Sequence, residues 1–419
     1  MPLSRLNAEQ YLAATSKATQ NLIIASAGTG KTSTIVGRIA HLLGSGAKPS
    51  EILLLTFTNK AAAEMVQRVA DYFGKDVASK IDAGTFHAVS YRWLKKDDKK
   101  VVLKQQRELK TLFRSVYEKR SFGHLGAEIA PYGGNYLYDV YSFYQNTELN
   151  AHFEDWIKSK YPEHEPFAMI YADIVDEFEA LKKEYGFVNF NDLLLNFRTL
   201  CATKELGYKE VLVDEYQDTN ALQGTLIDAM NPPSLFCVGD YDQSIYAFNG
   251  ADISIIGSFS KKYPNATVHT LTKNYRSTVP ILSLASKVIE YNERIYPKKL
   301  EVTRVQHAEP PKLLAYDELF DQYHDIAHKI SRTQTVRDEI AVIFRNNSSA
   351  DGIEVALREL GINCRRKGGT SFFDAREVKA VLDFYTLLVN ESDMMAFIHL
   401  FEFAKGVGSA MAKDRKSVV

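Results

Sequence analysis

The stretch NLIIASAGTGKTSTIVGRI, Asn21 to Ile39, decides how the rest of the chain is read. Leu22, Ile23, Ile24 and Ala25 make an apolar run suited to a buried parallel strand, and it stops at a loop of small residues before the amphipathic run from Thr32 to Leu43. Strand, loop and helix in that order are the arrangement of a nucleoside triphosphate site. Gly28 and Gly30 let the backbone curl so that successive N–H groups face inward, and a helix starting near Lys31 adds its amino-terminal dipole to the same spot. The loop residues Ser26, Ala27 and Thr29 complete the cradle; Lys31 reaches the β- and γ-phosphates and the Thr32 hydroxyl completes a Mg²⁺ shell. Ala25 stands where the G-x-x-x-x-G-K-[ST] pattern has its first glycine, so a plain glycine-rich turn is the competing reading.

The chain around this stretch has 419 residues, enough for a large core and two or three domains. Its 51 Lys and Arg against 52 Asp and Glu give a net charge of -1, which argues against a tail-driven nucleic-acid binder but leaves room for a local basic and aromatic groove. No apolar run approaches the roughly 20 residues of a membrane span, and MPLSRLNAEQ lacks the basic and apolar regions of a signal peptide. Cys201, Cys237 and Cys364 each lie in or beside an apolar run and read as buried, reduced thiols of a cytoplasmic protein.

Upstream of the loop, Asn7 or Ser4 caps a short helix, and Gln10 is either a surface glutamine or an amide that reads an adenine edge. Downstream, EILLLTF (Glu51–Phe57) is a second buried strand. It leaves Thr56, Thr58, Asn59 and Lys60 at its carboxyl end, the ligand-binding edge of an open α/β sheet, where helix capping is the plainer role of these polar residues. A third strand end presents Thr85 and His87 in GTFH. From about Lys95 to Phe197 the periodicity turns helical and the composition aromatic, with Tyr132, Tyr136, Tyr138, Tyr141, Phe143 and Tyr144 mostly core and any exposed rings free to stack on bases.

KEVLVDEYQDTN (Lys209–Asn220) is the second sharp signal. Val211 to Val213 form a strand, and Asp214 and Glu215 emerge at its end on different sides, so that one serves Mg²⁺ and the other orients and deprotonates an attacking water. We assign the metal to Asp214 and the base to Glu215. SLFCVG (Ser234–Gly239) is a further strand, after which Gln243 is placed to sense the γ-phosphate and Tyr246 and Phe248 to face a nucleic-acid groove. VHTLTKNYRS ends in Asn274, Tyr275 and Arg276, the arginine being either a surface residue or a clamp on the γ-phosphate. A second α/β region follows, with its clearest strand at EIAVIF (Glu339–Phe344) and helices at Ser349–Leu360 and Ala375–Leu388.

Taken together these segments resemble the superfamily 1A DNA helicases of the UvrD, Rep and PcrA type, over Leu6 to about Gly408. The matching segments are Leu6, Asn7 and Gln10; Ala25 to Thr32; TFTNKAAAEM; GTFHA; VDEYQDTN; GDYDQSIYAFNGA; LTKNYRST; and the late stretch GGTSFFDAREVKAVLDF. The resemblance implies an α/β fold, a P-loop NTPase with a RecA-like parallel-sheet core, a helical insertion and an incomplete second RecA-like domain. It assigns 1–94 and 198–269 to a first motor domain, 95–197 to the insertion, 270–390 to a second motor domain and 391–419 to the start of a further insertion or a cut terminus. It implies adenine held by Gln10 and Tyr275, and hydrolysis served by Lys31, Thr32, Asp214, Glu215, Gln243 and Arg276. Single-stranded DNA would run over Phe57, Thr58, Asn59, Thr85, His87, Tyr246 and Phe248, where stacking supplies roughly 1–3 kcal/mol per base without sequence preference.

The expected activity is an ATP- and Mg²⁺-dependent 3′ to 5′ helicase or translocase acting on single strands and single-/double-strand junctions in repair or replication restart. Its expected setting is the bacterial cytoplasm or nucleoid, beside repair or replication proteins and without a membrane. Departures from the family pattern are Ser33 where an arginine is common, and Phe248-Asn249-Gly250 where Trp-Arg-Gly is common. Motifs V and VI, the latter bringing a second arginine to the γ-phosphate, are absent, so the chain by itself is expected to be impaired. A truncated helicase, a shortened binding protein and a split polypeptide are the explanations weighed. The competing functions are a non-motor DNA- or partner-binding protein on a helicase scaffold and the motor subunit of a recombination helicase–nuclease complex.

Overall fold

The computed structural model describes residues 2–97, 101–123, 129–148, 150–293, 295–296, 298–304, 308–367, 376–391 and 393–401. The chain divides into two compact units, Met1–Pro310 and Pro311–Val419.

The strands of the first unit are β1 (Gln20–Ala25), β2 (Ile52–Thr56), β3 (Asp82–Thr85), β4 (Val102–Leu103), β5 (Phe187–Val188), β6 (Glu210–Val213), β7 (Ser234–Gly239), β8 (Thr267–Leu271), β9 (Lys273–Thr278) and β10 (Glu301–Arg304). Six of them form a wholly parallel sheet in the order β3-β2-β6-β7-β1-β8. Such a sheet is covered on both faces, which is why its strands read as continuous apolar runs. Alternate side chains serve the two faces. Leu22, Ile24, Leu53, Leu55, Val211 and Val213 point into one layer with Phe86, Leu194, Phe197 and Leu226. Ile23, Ala25, Leu54, Leu212, Phe236 and Val238 point into the other, against Ile35, Ile39, Met65 and Val69. The second layer is closed by α1 (Ala8–Ala14), α2 (Lys31–Gly44) and α3 (Asn59–Phe73). The ladder therefore brings the ends of β1, β2, β3, β6 and β7, with every loop that the sequence marked, to the same carboxyl edge.

Between β3 and β6 the chain makes the helical insertion, with helices Gln106–Tyr117, Gly134–Thr147, Phe153–Lys160 and Ala168–Tyr185 and the short parallel pair β4–β5. Its centre is aromatic: Phe113 lies 5.5 Å from Tyr138, 6.2 Å from Tyr141 and 5.1 Å from Phe178. Tyr138 and Tyr141 are core residues, as expected, whereas Tyr136 is 56% exposed.

In the second unit, helices Leu319–Arg332 and Asn347–Glu359 enclose a small core of Ala327, Ile353, Ala356, Leu357 and Ile362, and helices Arg376–Val389 and Met394–Phe401 follow. The expected strand at Glu339–Phe344 does not form. Arg337–Glu339 is a 3-10 turn, the chain from Ile340 to Phe344 is irregular, and Ile343 is 94% exposed. Among the described residues of this unit no other strand offers a ladder, and a single strand cannot satisfy its own backbone. Cys364 is also exposed rather than buried, although all three cysteines are free thiols. Gly368 to Ala375 of the late stretch lie outside the described residues; the remainder is helical. Among the described residues no helix is long and apolar enough to cross a membrane.

One buried ion pair bolts α2 to the sheet. Arg38 Nε and Nη2 donate to Glu210 at 2.8 and 3.2 Å, and Nη1 donates to the Ser16 carbonyl at 2.6 Å, with both side chains about 5% exposed. Removing one partner leaves the other charged and buried, so Glu210→Ala is expected to cost about 3–5 kcal/mol in urea unfolding. The paired replacement Arg38→Met with Glu210→Leu should recover most of that loss, and a double variant no better than the single one would refute this account of the pair.

Candidate nucleotide site and nucleic-acid groove

The loop after β1 turns on two left-handed glycines, Gly28 (φ 80°) and Gly30 (φ 90°), of which Gly30 caps α2. Both also lack room for a side chain: a Cβ on Gly28 would lie 2.5 Å from Arg276 Cβ, and one on Gly30 would lie 2.3 Å from Gln10 Nε2. Within the loop, Thr29 N and Oγ1 both donate to the Ser26 carbonyl at 3.1 and 2.7 Å. Ala25, Ser26 and Thr29 are buried, and Ala27, Gly28, Gly30, Lys31 and Thr32 line a cavity of about 1100 Å³.

Lys31 Nζ reaches Glu215 Oε2 at 2.5 Å across the sheet edge. Glu215 itself is left-handed (φ 50°), a conformation that costs a non-glycine residue about 1–3 kcal/mol and is held only where the surroundings impose it. This turn sends Glu215 and Asp214 in different directions. Asp214 is buried, its Oδ1 has no hydrogen-bond partner, and desolvation, then repulsion from Glu215, pushes its carboxyl up to about 6. Asp218 behaves alike, raised to about 6 by desolvation and by Glu215, with its own Oδ1 orphaned. A buried carboxylate with an open oxygen beside a hydroxyl-bearing loop suits a hard cation with few protein ligands, and Thr32 and Asp214 fit Mg²⁺ in that sense. Among the described residues no group of three or more His, Cys, Asp or Glu side chains forms a metal cluster.

Around this pair the structure gathers residues that the sequence did not single out. Gln217 donates from Nε2 to Glu215 Oε2 (3.0 Å) and Asp218 Oδ2 (3.1 Å) and accepts from Asp240 N at 2.8 Å. Asp240 takes the Gln243 amide at 2.5 Å and is ion-paired with Lys298, which also lies 2.7 Å from Asp242 and is 2% exposed. Gln243, expected near the γ-phosphate, thus lines the cavity while its amide rests on Asp240. Nothing in the sequence sets Lys298 apart from Lys299 beside it.

The other wall is a strap formed by β8 and β9. Thr272 N and Oγ1 donate to Glu9, Asn274 Nδ2 donates to the Ala27 carbonyl at 2.7 Å, and Tyr275 N donates to the Gly28 carbonyl at 2.8 Å. Asn274 Oδ1 accepts from Arg276 N and Ser277 N and so orients the arginine. Tyr275 and Arg276, both exposed, line the cavity with Asn7 and Gln10, and Asn7 Nδ2 donates to Tyr275 Oη at 2.8 Å. Gln10 is 4% exposed; its Nε2 donates to the Thr29 carbonyl and its Oε1 accepts from Asn7 N. It braces the loop as well as lining the cavity.

On the far side of Glu215 a second hollow of about 420 Å³ runs between Phe57, Thr58, Ile245, Tyr246 and the acidic strand ends. Phe57 and Tyr246 rings lie 4.7 Å apart, and Tyr246 and Phe248 5.9 Å apart; Phe248 is 70% exposed. Thr58 and Thr85 hydroxyls cap helices, accepting from Ala61 N and Ala88 N, and Asn59 is exposed. His87 packs edge-on against Phe190 at 5.5 Å, and burial pulls its imidazole down to about 4, so it is neutral at pH 7 and offers a ring rather than a charge.

Residues 6–264 match the UvrD/REP helicase N-terminal domain and residues 269–414 the UvrD-like helicase C-terminal domain. The chain is 32% identical over 408 residues to the ATP-dependent DNA helicase PcrA of Leuconostoc citreum, covering 93% of this chain and 53% of that protein. It is 30% identical over 430 residues to PcrA of Bacillus subtilis (97% and 56%) and 30% over 418 residues to the ATP-dependent DNA helicase srs2 of Schizosaccharomyces pombe (93% and 47%). The chain thus spans about half the length of the curated relatives it matches. With both domain matches in sequence order over nearly all of its length, the chain belongs to the UvrD/REP helicase family.

Proposed function

We propose that the chain is the ATP-hydrolysing and strand-gripping part of a DNA helicase, moving 3′ to 5′ on single-stranded DNA with ATP as substrate and Mg²⁺ as cofactor. The observation that carries this reading is the Lys31–Glu215 pair, which joins the phosphate loop to the strand-end carboxylates at 2.5 Å with an aromatic hollow directly beyond it. A pure binding scaffold has no need of a strained glutamate facing a loop lysine.

Inward N–H groups of the loop and the start of α2 receive the phosphates. As they arrive, Lys31 exchanges Glu215 for the β- and γ-phosphate oxygens, which frees the Glu215 carboxylate to take a proton from the water that attacks the γ-phosphorus. Thr32 and Asp214 would hold Mg²⁺, whose contribution when bound is to neutralise phosphate charge. Arg276, held by Asn274, adds a second positive charge to the γ-phosphate, and Tyr275 stacks on the base with Asn7 and Gln10 at its edge. Gln243 leaves Asp240 to sense the γ-phosphate. Because Tyr246 and Phe248 follow it within five residues, its movement shifts the rings on which DNA bases stack. The proposed place in repair or replication and the proposed bacterial cytoplasmic setting rest on likeness to the family alone and on no residue described above.

Glu215→Gln should keep nucleotide affinity within about twofold while lowering DNA-stimulated phosphate release by about 10²- to 10⁴-fold. Lys31→Ala should lose both affinity and turnover. Parental turnover in the glutamine variant would remove Glu215 from the role of base. Polarity is read by stopped flow on end-labelled single strands: the signal should come from a 5′ label, and arrival at a 3′ label would reverse the assignment.

Asp214 yields a prediction on stability. Burial, then the neighbouring Glu215, pushes its carboxyl from the ordinary 3.8 up to about 6 in the fold, so its contribution is fully present below about 3.8 and lost as the pH rises through 6. Asp214→Asn, which is always uncharged, should therefore be inactive yet more stable than the parent by about 1–3 kcal/mol at pH 7.5. The advantage should shrink towards zero as the pH falls from 6 to 4. An advantage unchanged with pH would mean that ionised Asp214 is not strained in the fold.

A further inference from the structure

We propose that Gln217 is a positioning residue that holds the Glu215 carboxylate in its working place and ties it to the strand end carrying Gln243. The inference rests on the reading of Glu215 as the general base. Gln217 is 2% exposed and every polar atom of its side chain is used. Its orientation is fixed by chemistry: the Asp240 N–H can only donate, so Oε1 faces it, and the carboxylates of Glu215 and Asp218 accept from Nε2. The side chain reaches across the end of β7, and it can do so because Gly239 ends that strand; a Cβ there would stand 2.8 Å from Gln217 Oε1. Asp240, the far anchor, is 2% exposed and is clamped by Lys298.

Glu215 Oε2 is shared by Lys31 and Gln217. When phosphates draw Lys31 away, Gln217 still holds that oxygen, and without it a half-exposed carboxylate on a left-handed residue is free to rotate towards solvent. The same amide joins Glu215 to Asp240, on which Gln243 rests, so a shift at the phosphate sensor is felt by the base through a single side chain. A residue that only supported the fold would lower stability and nucleotide affinity together; one that places the base lowers kcat alone.

The test uses two variants of the full chain. Gln217→Met keeps the length and removes all three hydrogen bonds. Gln217→Glu keeps the acceptor for Asp240 N but puts a like charge against Glu215 and Asp218. Steady-state phosphate release with saturating single-stranded DNA, titration with a fluorescent ATP analogue, and trapping of ADP with aluminium fluoride are measured for each. In both variants kcat and trapping should fall by about 10- to 100-fold while nucleotide binding stays within about twofold of the parent. Either variant turning over within about twofold of the parent, or losing binding in step with turnover, overturns the proposal. A parent chain that binds the analogue but neither hydrolyses ATP nor traps aluminium fluoride overturns the motor reading instead, and the role of Gln217 falls with it.

Discussion

The ion pair between Lys31 and Glu215 is the interaction on which the rest of the site depends, and its geometry is demanding. The two residues follow β1 and β6, which are not neighbours: β7 runs between them. To meet at 2.5 Å they must converge over the end of the intervening strand, and three left-handed residues, Gly28, Gly30 and Glu215, supply the turns. Two of these are glycines because Arg276 and Gln10 stand where a side chain would go. The third is the glutamate itself, so strain is concentrated on the residue proposed as the base. Asp214, Glu215 and Asp218 crowd together, and the raised carboxyls of Asp214 and Asp218 record the cost of holding that charge out of water.

Much of this was legible in the sequence because the signals are local. A strand buried on both faces must be a continuous apolar run, so LIIA, ILLL, VLV and LFCV announced themselves, and small residues at their ends located the edge. The loop glycines, a helix cap at Asn7 or Ser4, of which Asn7 serves, and the helical insertion followed from equally local chemistry. What escaped was either distant in sequence or dependent on pairing. Lys298 meets Asp240 over 58 residues and Asn274 meets Ala27 over 247, and nothing in either short stretch specifies such a partner. Glu339–Phe344 failed for the opposite reason: its local pattern favours a strand, but no neighbour completes a ladder among the described residues. Cys364 shows the same limit, since an apolar residue beside a thiol does not bury it.

The strap carrying Tyr275 and Arg276 shows how an irregular connection becomes a fixed wall. β8 belongs to the large sheet and β9 leaves it after Thr272 to pair with β10. At that departure Glu9 takes both the Thr272 N–H and hydroxyl, and Asn274, 1% exposed, spends its amide on the Ala27 carbonyl and the two N–H groups beyond it. The backbone around the presented arginine is therefore hydrogen-bonded to the phosphate loop itself. The loop and the strap are thus hydrogen-bonded into one wall, as the proposed role of Arg276 as a phosphate clamp requires.

A comparable link joins the helical insertion to the acidic strand end. Asn220, the cap of the helix that follows Asp214 and Glu215, donates to Asn146 Oδ1 at 3.2 Å, and Gly250 (φ 87°) lies so close that a Cβ would meet Thr147 at 3.0 Å. Asn220 also bridges Ala251, and Asp252 N donates to the Thr219 carbonyl. The end of the helix Gly134–Thr147 thus rests where the Glu215 segment and the Tyr246–Phe248 segment touch each other. Rigid helices amplify small displacements at their ends, and this helix shares its aromatic core with the rest of the insertion through Tyr138 and Tyr141. The insertion is therefore tied to the acidic strand end at two points, the Asn146 hydrogen bond and the close approach at Gly250, where a side chain would have no room.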